Sequence, residues 1–128
     1  MENEIRKLLI DSCHSSKEAE AEILKKLTDP MVISLLVEIA LDEMDHGGDS
    51  PMQAAYYLSQ AAVELLEGYE EELIKILSAE LPYSGHAALA LGRMQSKNAR
   101  PIIVSELGEG GFPSAWLYEE ALAKYAGV

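Results

Sequence analysis

Asp42-Glu43-Met44-Asp45-His46-Gly47-Gly48-Asp49 is the densest run of potential metal ligands in this chain. Carboxylates and an imidazole this close together would suit a hard cation if their spacing matched a known cage, but it does not. An EF-hand loop starting at Asp42 would put Met44 and His46 at ligand positions, and Gln53 where a bidentate Glu is needed. Glu43 and His46 form one Glu-x-x-His pair, whereas a di-iron bundle needs two such pairs and further Glu residues. Cys13-His14 sets a thiol beside an imidazole, yet successive helical residues project about 100° apart. No Asp or Asn is clearly placed to orient that ring. His14, His46 and His86 each fall near a helix end. The chain holds no G-x-G-x-x-G, P-loop, H-E-x-x-H, G-x-S-x-G or C-x-x-C. The expectation is therefore no catalytic residue, no metal and no cofactor, and a function carried by surfaces.

The charge balance says which surfaces those are. Acids outnumber bases 22 to 10, for a formal net charge of −12. Phosphates attract Lys and Arg, so this balance argues against nucleic acid and against anionic membranes. It favours a basic protein partner, or solubility alone. Hydrophobic residues make up 48% of the chain, enough to exclude disorder. The length of 128 residues fits one domain, 1–128. A lone cysteine, Cys13, cannot form an internal disulfide, and Met-Glu-Asn-Glu-Ile-Arg-Lys lacks a signal-peptide core. No stretch reaches the roughly 18 apolar residues of a membrane span. A cytoplasmic location is expected.

The elements that would position such surfaces are helices. Apolar residues recur at helical spacing, no segment alternates with period two, and Gly or Pro marks each expected break. A first helix runs from Glu2 to about Cys13. Ser15 and Glu18 offer a capping box for a second, with Ala19, Ile23, Leu24 and Leu27 as its core face. Asp29 as N-cap and Pro30 at the first position start a third, Met31 to Met44, which Gly47-Gly48 ends. Asp49-Ser50-Pro51 repeats the device for a helix to about Glu67, packing through Ala55, Leu58, Ala62, Leu65 and Leu66. Gly68 breaks it, and Glu70, Glu71 and Glu72 fill the first turn of the next helix, which ends at Leu81-Pro82. Two short helices follow within Ser84–Leu107. A last one runs from a Ser114 cap to about Tyr125, bearing Trp116, Leu117, Tyr118 and Leu122. The count is about eight helices.

These helices repeat. Met52-Gln-Ala-Ala-Tyr-Tyr-Leu58 returns as Gly85-His-Ala-Ala-Leu-Ala-Leu91, so that Ala55 matches Ala88 and Leu58 matches Leu91 at an offset of 33 residues. Helix pairs of this size cannot bury their apolar stripes alone and must stack on a neighbouring pair. Three units are read: Ser16 to Met44, Pro51 to Leu81, and Ser84 to Leu107, with end helices outside them. The third, A-A-L-A-L-G-R-M followed by A-R-P-I-I-V-S-E-L, resembles the short HEAT-like repeats of phycobilisome-lyase-type proteins. That resemblance implies an all-α, right-handed α-solenoid of about three HEAT-like helix pairs with terminal capping helices. Lyase chemistry does not come with it, since no cysteine or aromatic residue here marks a bilin site. Ser50-Pro51-Met52-Gln53-Ala54-Ala55 is faintly similar to the ankyrin signature, but the helix after it reads as too long, and Ser84 onward lacks that signature. The tetratricopeptide pattern is absent.

In a HEAT-like stack the second helix of each pair lines the concave face. That row would carry Glu38, Asp42 and Asp45, then Glu71, Lys75 and Ser78 with Glu70 and Glu72 at its margin, then Arg100 and Glu106. Phe112 and Trp116 are candidate interface anchors or terminal caps. A small acidic domain of this class resembles immunity or antitoxin proteins, which implies a non-enzymatic module that binds and neutralises a basic partner such as a nuclease toxin. The alternatives are a HEAT-like scaffold or adaptor for other proteins, and a lyase-type enzyme-associated chaperone.

Overall fold

Asp29 and Pro30 set the start of the helix on which much of the core is built. In the computed structural model, which describes residues 2–42, 49–79, 81–110 and 115–125, the Asp29 carboxylate accepts from the Met31 amide at 2.9 Å. Pro30 then occupies the first position, where its missing N–H costs nothing. This helix, α3 (Pro30–Ala40), buries Val32, Ile33, Leu36, Val37, Ile39 and Ala40, leaving only Glu38 and Met31 fully exposed after the proline. Before it lie α1 (Glu2–Cys13) and α2 (Lys17–Lys26). The cap of α2 is Ser16 and not Ser15: the Ser16 hydroxyl accepts from the Ala19 amide at 3.2 Å. Ser15 sits at φ 71°, in the left-handed region, where the chain reverses out of α1.

The remaining helices are α4 (Asp49–Leu58), the single turn α5 (Val63–Leu66), α6 (Glu70–Ser78), α7 (Ser84–Arg93), α8 (Arg100–Gly108) and α9 (Ala115–Ala123). All regular structure among the described residues is helical. Three expectations fail here. The helix expected from Met31 to Met44 stops at Ala40, before Asp42. The helix after it already includes Asp49, the first residue described beyond that point, so Asp49 is not its cap. The continuous helix to Glu67 breaks after Leu58, with Ala62 extended at ψ 137°. No Gly or Pro marks that break. Instead the Ser59 carbonyl, which a continuing helix would have used internally, accepts from the Arg93 guanidinium at 2.5 Å. A 3-10 turn over Glu67–Tyr69, carrying Gly68, then leads into α6.

Packing shows which helices belong together. α1 lies against α2, α3 against α4, α6 against α7, and α8 against α9, while α1, α4, α7 and α9 touch in succession. The units read from the sequence paired α2 with α3, α4 with α6, and α7 with α8. The principal contacts instead straddle those boundaries, so each packed pair starts one helix earlier. The internal match survives this shift: Ala55, Leu58, Ala88 and Leu91 are all buried on the adjacent helices α4 and α7. The small residues act as expected at α7/α9. A Cβ built on Gly92 would fall 2.9 Å from Ala121 Cα and closer still to its carbonyl oxygen, so the two backbones need a glycine between them.

Buried side chains form one apolar cluster from Ile5 on α1 to Tyr125 after α9. Ile33, Val37, Ala54, Tyr57 and Ile76 join it beyond the residues expected. Leu24 and Ala62, expected inside, are exposed. Two buried serines fix the turns. The Ser84 hydroxyl donates to the Ile76 carbonyl at 2.7 Å and accepts from the Leu81 amide at 2.9 Å, locking α6 to α7. The Ser96 hydroxyl accepts from the Ala99 amide at 3.2 Å and donates to Glu70 at 2.5 Å.

Candidate functional site

Of the nine residues expected to carry binding, the structure leaves two acids fully exposed on α3 and α6, Glu38 and Glu71. Glu72 is half-buried. Three others are engaged within the fold. Asp42 accepts from the Arg6 guanidinium at 2.6 Å, with both side chains about a quarter exposed (25% and 27%). Glu70 accepts from Ser96, and Glu106 meets the Tyr118 hydroxyl at 3.4 Å, facing α9 and not the row expected for it. Asp45 and Phe112 lie outside the described residues, as do Gly47, Gly48 and Ser114. Trp116 is 64% exposed, so it does not close the end of the stack as a buried cap.

A cleft lies between the ends of the two helices that carry these acids. Ala40, Leu41 and Asp42 at the end of α3 meet Lys75 and Ile76 of α6 and the following Ala79, Leu81 and Tyr83, around about 360 Å³. Glu71 lies one turn before Lys75 on the same side of α6. Glu38 lies in the last turn of α3, and Asp42 follows after the helix has ended. The cleft has largely apolar walls and carries the Arg6–Asp42 pair and Lys75 at its edge, with Glu71 one turn before Lys75 on α6. Two helix C-termini also add partial negative charge there. Apolar walls suit the long stem of Lys or Arg, while the edge is mixed in charge, Asp42 being paired with Arg6 and Lys75 being a cation.

The thiol and imidazole near the chain start do meet an acid in space. His14 Nε2 lies 3.8 Å from Asp49 Oδ2, and Cys13 has Asp49 and Gln53 as hydrogen-bonding neighbours. This is not an activated nucleophile. Burial pushes the Cys13 thiol up, and the Asp49 charge pushes it the same way, so the reactive thiolate is disfavoured. The imidazole is directed to the carboxylate, both groups being more than half exposed. Beside them, the Ser12 hydroxyl donates to the Leu9 carbonyl at 3.0 Å and lies 3.2 Å from Gln53 Oε1. It also bonds Tyr57, whose phenol is raised chiefly by burial. The cluster staples α1 to α4. Among the described residues no group of three or more His, Cys, Asp or Glu could hold a metal ion, and no helix is long and apolar enough to cross a membrane.

His86 occupies the repeat position of Gln53 and stacks edge-on against Tyr56 of α4, ring centroids 5.5 Å apart. Burial lowers its pKa. The sequence did not reveal Arg6 as the partner of Asp42. The two are 36 residues apart, and no local pattern links them. Comparison with protein-family models, with curated proteins and with solved structures gives no match to this chain.

Proposed function

We propose that this protein is a non-enzymatic binding module, a short right-handed HEAT-like solenoid whose α3/α6 face holds a basic protein in the cytoplasm. The reading closest to its size and charge is an immunity or antitoxin-type protein that neutralises a basic toxin such as a nuclease. The observation that supports it is the pairing of the exposed Glu38 and Glu71 with an apolar cleft of about 360 Å³ between the same two helices. Acidity alone would serve solubility. Exposed acids on the two helices whose ends border an apolar recess would give a partner both steering charge and an anchor. Asp42 contributes by holding the cleft's edge through Arg6 and is not a free contact.

The test is capture from the native host by immobilised protein, wild type against the double reversal Glu38→Lys/Glu71→Lys. A basic protein retained by wild type and lost with the reversal supports the reading. A toxin encoded beside this gene would identify that partner. Equal capture by both would assign the acids to solubility and leave the face as an adaptor surface.

A further inference from the structure

The bases in this acidic chain are not evenly spread. Arg93, Lys97, Arg100 and Lys124 are four of the ten Lys and Arg residues, and all lie at the α7–α8 turn or the end of α9. There, Gln95, Lys97, Arg100, Pro101 and Tyr125 line a cleft of about 450 Å³. We propose that this cleft is an oxyanion-binding site, taking a carboxylate or phosphoryl group between Arg100 and Lys97.

Two side-chain cations share this recess, and among the described residues neither forms an ion pair with a carboxylate. In a chain with 22 acids and 10 bases, intramolecular partners were plentiful. The guanidinium is also held in place, with its central carbon 5.5 Å from the centre of the Tyr125 ring. That ring is itself fixed, since its buried hydroxyl donates to the Ser96 carbonyl at 2.7 Å. An Arg so supported loses less freedom on binding and presents a planar fork matched to two oxygens of an anion. The cleft wall is rigid for the same reason. Gln95 holds a left-handed backbone at φ 59°, and its amide donates to the carbonyls of Gly92 and Lys124. The Glu70 carboxylate, bonded to the Ser96 hydroxyl, keeps its charge near the Tyr125 ring, so Arg100 and Lys97 must hold the anion against it. This site is separate from the α3/α6 face and stands or falls independently of it.

The experiment is an amide and guanidinium NMR titration of the full chain, with inorganic phosphate and glutarate as separate probes at constant ionic strength. Saturable shifts centred on Gln95, Lys97 and Arg100 are expected. Arg100→Gln should weaken binding by about tenfold, as loss of a charge-assisted hydrogen bond implies. Lys97→Gln should weaken it a few-fold. Saturation by phosphate alone names a phosphoryl ligand, and saturation by glutarate alone a carboxylate; either supports the site. Absence of a saturable shift with both probes, or saturation at an affinity that both variants leave unchanged, would overturn it.

Discussion

Leu58 and Leu91 are fully buried at matching positions on α4 and α7, which pack against each other. Truncating either to Ala should cost about 2–5 kcal/mol, because neither site can collapse without moving a helix on both sides. Chemical denaturation of Leu58→Ala and Leu91→Ala should return similar losses, and a change of only a few tenths in either would contradict the shared interface. His86 makes a second residue-scale prediction. Burial lowers its folded pKa below the ordinary value of about 6.5, so the unfolded chain binds its proton more readily. Its neutral form therefore contributes stability that is present above the unfolded value and lost as pH falls through and below it. The urea midpoint should drop between pH 7.5 and pH 5, and His86→Gln should flatten that part of the profile. A variant with the same slope as wild type would show that other groups control it.

At the scale of elements, the close approach of α7 and α9 rests on one missing Cβ. Gly92→Ala should destabilise by about 1–3 kcal/mol, because the added methyl meets Ala121 backbone and not a side chain that could swing away. Ala is otherwise the better helix former, so a thermal melt unchanged or raised by Gly92→Ala would refute the tight crossing. Much of this was legible in the sequence. Asp29-Pro30 marks a helix start by its own chemistry, and the small residues of α7 announce a close neighbour. The 33-residue match of Leu58 to Leu91 also located two equivalent helices. What it could not supply was phase: a period says how far apart like helices lie, not which neighbour each packs against. Hence α4 was grouped with α6, whereas its main partner is α3. The break after Leu58 was hidden for a different reason. It is set by Arg93, 34 residues downstream, taking the Ser59 carbonyl. The same applies to the site. Exposed Glu38 and Glu71 followed from helical spacing, but the commitments of Asp42 to Arg6 and of Glu70 to Ser96 are tertiary.

For the whole molecule, a net charge of −12 on 128 residues is self-repulsion that folding must overcome. A basic partner would relieve it, most effectively at the α3/α6 face, whose helices carry exposed acids and border an apolar recess. Charge and recess then divide the work of binding. Exposed acids steer the encounter, whereas a side chain seated in the cleft slows departure. The measurement that separates this from mere solubility is the association rate with the captured basic partner, by surface plasmon resonance at two salt concentrations. Wild type should associate more slowly as salt rises. Glu38→Lys/Glu71→Lys should slow association by about tenfold at low salt and flatten that dependence, with the fold intact and dissociation little changed. Unaltered association rates and an unaltered salt slope in the double reversal would contradict the account.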